Sequence, residues 1–303
     1  MSDPVRKLNQ LQQRATQIDN PLQLPLWHEE KRGVPNEVVR SALFNVRNRC
    51  VARREFKDEV IAVLSGDICI TYSGTELRQD DMDVWMQLLH EARRQPLGQC
   101  VEIKPYEFLK DLRWSPTGYY YKKLREHLKR MKFTMLVVNS ARLGREIGVS
   151  MIRKYECEGR DGEKLERWRI WIEPEVKALF GDVYYTRIDW QQRVKIKGNL
   201  AKHLHGVYSS HAQPYPYKVA TILEGCGSDM RELRNFRVSL REALEELQRV
   251  GFIEHFQIDD NDLVHVRRTQ SSTVATELPM LELQALATAK PRKGKRVLPD
   301  SDQ

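Results

Sequence analysis

Two sets of side chains have types and spacings that could do chemistry. The first is His203-Leu204-His205 with Tyr208 nearby and Tyr119 to Tyr121 elsewhere. Rolling-circle nicking enzymes use such histidines to hold a divalent metal, and a tyrosine to attack DNA. That chemistry needs both histidines on one face, as i and i+2 are on a strand. Residues 199–211, NLAKHLHGVYSSH, instead carry a helical pattern. It sets the two rings about 200° apart, so they cannot share an ion. The acid trio Asp80, Asp81 and Asp83 opens a helical segment, where capping and dipole stabilisation are the expected roles. No Ser/His/Asp or Cys/His spacing and no GxxxxGK[ST] occurs. Cys50, Cys69, Cys100, Cys157 and Cys226 are widely spaced without a CxxC, as expected of reduced thiols in a cytosolic protein. The expectation is therefore no enzyme, no cofactor and no metal, with a nicking endonuclease kept as the lesser alternative.

The second set is cationic. Arg231, Arg234, Arg237 and Arg241 recur at spacings of three and four. On a helix they fall within about 120° of one another. The stripe Leu233, Phe236, Leu240, Leu244 and Leu247 lies beside them, and Glu242, Glu245 and Glu246 follow. A helix that puts its N-terminal end into a DNA groove would show this asymmetry, whereas an ordinary solvated face is the plain alternative. A second basic helix is predicted over residues 119–131. There Lys122, Arg125 and Lys129 lie within about 60°, Lys123 and Arg130 flank them, and Tyr121, Leu124, Leu128 and Met131 face the other way. The candidate DNA-binding residues are Tyr119, Lys122, Lys123, Arg125, Lys129 and Arg130 in one helix. In the other they are Ser228, Arg231, Arg234, Asn235, Arg237 and Arg241, with Arg267 on a later strand. Ser228 or Asp229 can cap the second helix, read as 229–249. Trp114, Tyr119 and Tyr120 could stack on unpaired bases or pack in a core.

The elements that must position these side chains repeat. A helix over 80–95, a short strand at 100–103, a short helix at 105–112 and the basic helix 119–131 lead into strands at 133–138, 147–155 and 168–172. A helix over 199–211, a short helix at 217–224 and the basic helix 229–249 lead into strands at 252–258 and 263–268. Each set has the element order of a winged helix-turn-helix. Leu124-Arg-Glu-His-Leu128 aligns with Leu240-Arg-Glu-Ala-Leu244 at an offset of 116, which indicates a duplicated module. The predicted class is α+β, with tandem winged-helix domains at 34–187 and 188–268, a flexible arm at 1–33 and a basic tail at 269–303. The tail's Lys290, Arg292, Lys293, Lys295 and Arg296 could add phosphate contacts. Fifty Lys+Arg against 42 Asp+Glu leave a net charge of +8, which suits a polyanionic partner. No apolar run is long enough for a membrane span and no secretory h-region opens the chain, so a cytoplasmic, membrane-free protein is expected. Within the arm, Gln23-Leu24-Pro25-Leu26-Trp27 has the make-up of a short linear motif whose apolar side chains fill a partner's pocket. The alternative is that Leu24 and Trp27 fold back on their own domain.

Several strings resemble the TrfA family of plasmid replication initiators. They are LPLWHEEKRGVPNEVVRSALF (24–44), DVWMQLLHEARRQPLG (83–98), IDWQQR (188–193), LAKHLHGVYSSHAQPYP (200–216) and DLVHV (262–266). The resemblance runs from about residue 20 to 268. It implies tandem winged helices that bind double-stranded origin repeats (iterons), open an adjacent AT-rich segment and contact the exposed single strand. It also implies recruitment of the host initiator, replicative helicase and sliding clamp, and a monomer–dimer equilibrium whose dimer is inactive. Gln23, Leu24, Leu26 and Trp27 resemble the clamp-binding pentapeptide Gln-Leu-(Ser/Asp)-Leu-Phe, departing from it at Pro25 and Trp27. A winged-helix transcriptional repressor is the competing reading.

Overall fold

The computed structural model describes residues 23–64, 68–159, 163–181 and 184–269. The first 22 residues of the expected arm and the basic cluster of the tail lie outside these.

The chain enters through β1 (Lys31–Pro35) and α1 (Asn36–Val39), then β2 (Phe44–Asn45), β3 (Glu55–Ile61), β4 (Ile68–Thr75) and β5 (Leu77–Arg78). Helix α2 (Gln79–Ala92) follows, then β6 (Cys100–Ile103), α3 (Pro105–Asp111) and α4 (Gly118–Lys132). Next come β7 (Met135–Ser140), β8 (Glu146–Val149), β9 (Ile152–Glu158), β10 (Lys164–Ile172), α5 (Val176–Phe180) and β11 (Tyr185–Asp189). The last stretch holds α6 (Trp190–Arg193), α7 (Asn199–Ser209), β12 (Tyr217–Lys218), α8 (Val219–Gly225), α9 (Leu233–Arg249), β13 (Ile253–Ile258) and β14 (Leu263–Arg268). The class is α+β.

Two hydrophobic cores organise these elements. Trp85, Leu88, Leu109, Leu124, Leu128, Ile170 and Trp190 belong to the first. Ile196, Leu204, Tyr208, Ile222, Phe236, Leu240, Leu244 and Val264 belong to the second. Late in the chain the first core ends at Trp190 and the second begins at Ile196, while Leu64 from the first stretch also packs in the second core. Both cores lie in one compact unit ending at Arg268. Around each core the sheet order repeats, β6-β10-β9 in the first and β12-β14-β13 in the second, all antiparallel. In each, a short strand precedes the short helix, the basic helix follows, and a hairpin closes the set.

The hairpin after α4 is β9–β10, later in the chain than the strands first expected there. β7 and β8 belong to the sheet β3-β4-β7-β8. Register sets Tyr72 opposite Leu136 and Ile70 opposite Val138, so the apolar alternation of 135–140 covers β4. The basic helix of the second set is also shorter than expected, beginning at Leu233. Ser228 does not cap it. The Ser228 hydroxyl accepts from the Met230 N–H, and Asp229 pairs with Arg47 at 3.5 Å, so both side chains hold the preceding loop. Arg231 consequently lies ahead of α9 and not on its face. The far end of α9 closes conventionally. Gly251 takes φ +76, its N–H bonds to the Gln248 carbonyl, and the Phe252 N–H bonds to that of Leu247.

Residues 23–33 are part of the fold, which corrects the flexible-arm reading for this stretch. Leu24 and Trp27 are only 2% and 3% exposed, while Leu26 is 52% exposed. The Trp27 indole stacks on Phe180 at 6.0 Å and 9°, and its N–H donates to His90 Nδ1 at 3.1 Å. Gly33 lies so close that an added Cβ would sit 2.6 Å from the indole. Gln23 donates to the Arg93 carbonyl at 3.2 Å, and Arg93 Nε donates to the Trp27 carbonyl at 3.3 Å. An aromatic that buries this much surface gains more from its own core than from solvent-facing extension. The alternative of folding back on its own domain is the arrangement seen.

Candidate nucleic-acid interface

α9 buries Phe236, Leu240, Ala243, Leu244 and Leu247. About 150° away its outer face presents Arg234, Val238 and Arg241, all exposed. Among the described residues, Arg231, Arg234 and Arg241 make no direct ion pair or side-chain hydrogen bond, although the charge of Arg241 helps to lower the Asp262 carboxyl. Arg237 differs. Its Nε donates to Asp262 Oδ1 at 2.8 Å and its Nη2 to Asp262 Oδ2, a two-point clamp onto the β13–β14 turn. The Asn235 amide donates to Glu232 at 2.9 Å. Arg267 pairs with Glu254 at 3.0 Å across that hairpin, with both groups at the surface. So the row of four arginines divides into three available cations and one hairpin tether.

α4 divides in the same way. Leu124, His127, Leu128 and Met131 are buried. Tyr119, Lys122 and Lys129 are exposed, with no polar partner for either lysine among the described residues. Lys123 lies 3.3 Å from Asp80 and sits over the Trp114 ring at 4.5 Å. Arg125 reaches Glu158 on β9 at 2.6 Å. Arg130 bonds Asp81 at 2.9 Å. Trp114 is packed against Tyr120 at 5.6 Å and His127 at 5.4 Å, so Tyr119, 69% exposed, is the aromatic open to solvent here.

The acid trio holds the fold together. Asp81 accepts from the Arg78 N–H at 2.9 Å, the capping contact, and is also bound by Arg53, Arg130 and His127. Burial raises its pKa, but the His127, Arg130 and Arg53 partners outweigh that and hold the carboxyl far below the usual range. Asp80, Asp81 and His127 bring ligand-type atoms within 4.8 Å of one another. With Arg53, Lys123 and Arg130 on those carboxylates, their charge is already met by cations of the chain. Asp83 accepts from Arg193 Nε at 2.7 Å and from Lys202 Nζ, joining α2 to α6 and α7. Glu246 of α9 accepts from the Lys197 N–H at 2.6 Å and the Gly198 N–H at 3.1 Å, just ahead of α7. A carboxylate there suits the unpaired amides of a helix start.

The histidines do not build a metal centre with tyrosine. His203 and His205 lie in α7 and are both buried, and Tyr208 is wholly enclosed. His205 meets Phe252 edge-on at 4.4 Å. Burial drops the His203 pKa to about 3 and that of His205 well below its normal value. They are neutral core side chains, out of reach of DNA. Where the cores meet, a cavity of about 310 Å³ is lined by Arg49, Arg113, Lys197, Lys202, Trp114 and Trp190, among others. Arg113 there adopts φ +57, a left-handed conformation uncommon outside glycine. Arg49, Arg113 and Lys197 form no motif in the sequence, because they lie in three loops far apart in the chain that only the fold gathers.

The model for the family described as TrfA protein matches residues 5–268. The chain belongs to the TrfA family. It is 37% identical over 243 residues to the plasmid replication initiator protein TrfA of Escherichia coli. That alignment spans 80% of this chain but only 63% of the relative, so the TrfA-family chain corresponds to under two thirds of that protein. In fold it is similar to domains 2 and 3 of RctB, at TM-score 0.53 and 13% identity, over 78% of this chain and all of that one. A second structure of RctB domains 2–3 aligns at TM-score 0.49 and 13% identity, over 76% of this chain and 94% of that one. Among the described residues, no helix of this TrfA-family member is long and apolar enough to cross a membrane.

Proposed function

We propose that this TrfA-family chain is a non-catalytic plasmid replication initiator with two winged-helix modules that bind origin repeats in duplex DNA. One observation carries this. At the same place in two sets with the same sheet order, an outward helix face holds cations that make no direct contact with an acid among the described residues: Lys122 and Lys129 on α4, Arg234 and Arg241 on α9. Arginines can read guanine edges in the major groove and lysines can meet phosphates. The tethered cations Lys123, Arg125, Arg130 and Arg237 instead hold each helix to its own hairpin or core, and the hairpins lie beside the DNA backbone. The likeness to a two-domain chain supports the tandem division.

On this reading the origin's AT-rich segment opens next to the bound repeats. Arg49, Arg113 and Lys197 about the inter-core cavity are the cations that could hold exposed single strand. Host initiator, replicative helicase and sliding clamp are the partners that follow, together with the monomer–dimer equilibrium. A clamp that took Gln23 to Trp27 would first have to draw Leu24 and Trp27 out of the core.

Footprinting on the parent plasmid, followed by anisotropy titrations over a salt series, tests the assignment. Protection of repeats in one orientation is expected. Arg234→Ala with Arg241→Ala should weaken binding, relaxing base preference where an arginine meets a guanine edge and flattening the salt slope by about one for each arginine that meets a phosphate. A palindromic footprint bound by a dimer would instead mark a repressor. Wild-type affinity together with an unchanged salt slope in the double variant would remove α9 from the groove.

A further inference from the structure

Resting on the reading that α9 enters the major groove, we propose that Val238 reads a thymine of the repeat through its C5-methyl group. Val238 is 53% exposed in the middle of an otherwise polar helix face. It is four residues after Arg234 and three before Arg241, so all three project within about 60° of one another. Neither arginine makes a direct ion pair among the described residues, and the core stripe is on the other side of the helix. An exposed branched apolar group framed by two free guanidiniums matches one feature of duplex DNA. Each major-groove edge offers hydrogen-bonding atoms, and only thymine adds a methyl. The flanking arginines would take guanine edges or phosphates and press the valine against the base between them.

The paired module sharpens the point. Leu124 and Leu128 of α4 and Leu240 and Leu244 of α9 are all buried, which fixes the register between the two helices at the offset of 116. In that register Val238 corresponds to Lys122, which is exposed on α4. One helix therefore carries a methyl-binding side chain where the other carries an ammonium. Two modules of matching architecture would read different bases, so the bound repeat has no internal symmetry and a single direction.

The experiment uses the full chain and a duplex bearing one footprinted repeat, in which each thymine in turn is replaced by deoxyuridine to delete its methyl. Wild-type protein should lose about four-fold in affinity at one position inside the α9 half, the factor for burying one methyl-sized group. Val238→Ala should lose a similar factor on unmodified DNA and show no further loss at that position. Val238→Lys should lose more. The proposal is overturned if no thymine matters to the wild type, or if the Val238→Ala and deoxyuridine losses multiply. It is also overturned if Val238→Ala binds as tightly as wild type. Arg234→Ala with Arg241→Ala separates the two readings. If that variant binds normally, the groove placement itself fails; if it is weakened while the deoxyuridine series is flat, only the thymine contact fails.

Discussion

Removing the Trp27 indole should unfold the first core from its edge. The ring is 3% exposed, stacked on Phe180, hydrogen-bonded to His90 and closed off by Gly33. Trp27→Ala loses the transfer energy of the ring and leaves a cavity, about 3–5 kcal/mol for a buried aromatic. For a fold of this size that is roughly 2–4 °C of Tm per kcal/mol, so a drop of about 6–20 °C is expected. Trp27→Phe keeps most of the stacking and leaves His90 Nδ1 without its donor, at a cost of about 1–3 kcal/mol. Gly33→Ala attacks the same contact from the other side, because its Cβ would lie 2.6 Å from the ring. Leu26→Ala, at an exposed position, should fall within about 0.5 kcal/mol of wild type. Calorimetry on the four variants decides the matter. If Trp27→Ala and Leu26→Ala melt alike, the segment is no part of the core and its burial here is wrong.

Acid should weaken the protein before its carboxylates titrate. His90 and His203 are pushed down to about 3, chiefly by burial, and His205 lies well below its usual value. The unfolded chain takes up these protons below about pH 6.5 and the folded one does not, so stability falls as pH drops from there towards 3. With about 1.4 kcal/mol per unit for each ring, the slope approaches about 4 kcal/mol per pH unit. A Tm that stays level from pH 6.5 to 5 would contradict this, and because His211 is also lowered, to about 4, His205→Leu should remove about a quarter of the combined slope. Asp83→Ala strands buried Arg193 and Lys202 and should cost about 3–5 kcal/mol by urea denaturation; a loss below 1 would show the pair to be incidental. Arg237→Ala should leave the salt slope of DNA binding nearly intact while speeding amide exchange in β13–β14, the reverse of what Arg234→Ala does. Equal salt effects for the two arginines would undo the tether assignment.

What could be read in the chain and what could not differ by range. The basic helices were legible because Leu124 with Leu128 and Leu240 with Leu244 set a local period. The repeat was legible because those leucines carry the same neighbours. Which cations are free was not, because that is decided by acids far along the chain: Asp262 for Arg237, Asp81 for Arg130, Glu158 for Arg125. Trp27 read equally well as a linear motif or a core residue, since its partners Gly33, His90, Phe180 and Tyr185 are spread over the whole first core. Alternation marked β7 and β8 as strands but could not say that β4 was waiting for them. The start of α9 is not legible in the sequence, because Ser228 and Asp229 are good caps by type, yet one closes a local turn and the other is held by Arg47.

The buried link from Asp83 to Arg193 and Lys202 bears on the DNA as well as on stability. It joins a helix of the first core to two segments that lead into the second, and the Glu246 contacts brace α9 from behind. These contacts fix α9 against the first core, so if both helices dock on duplex DNA as proposed, the pair would measure helical phase. One base pair inserted between the two half-sites turns one of them by about 35° about the duplex axis. A jointed protein would follow that turn. This one would have to twist the DNA back or give up a module, so spacing should matter to the origin as much as sequence does.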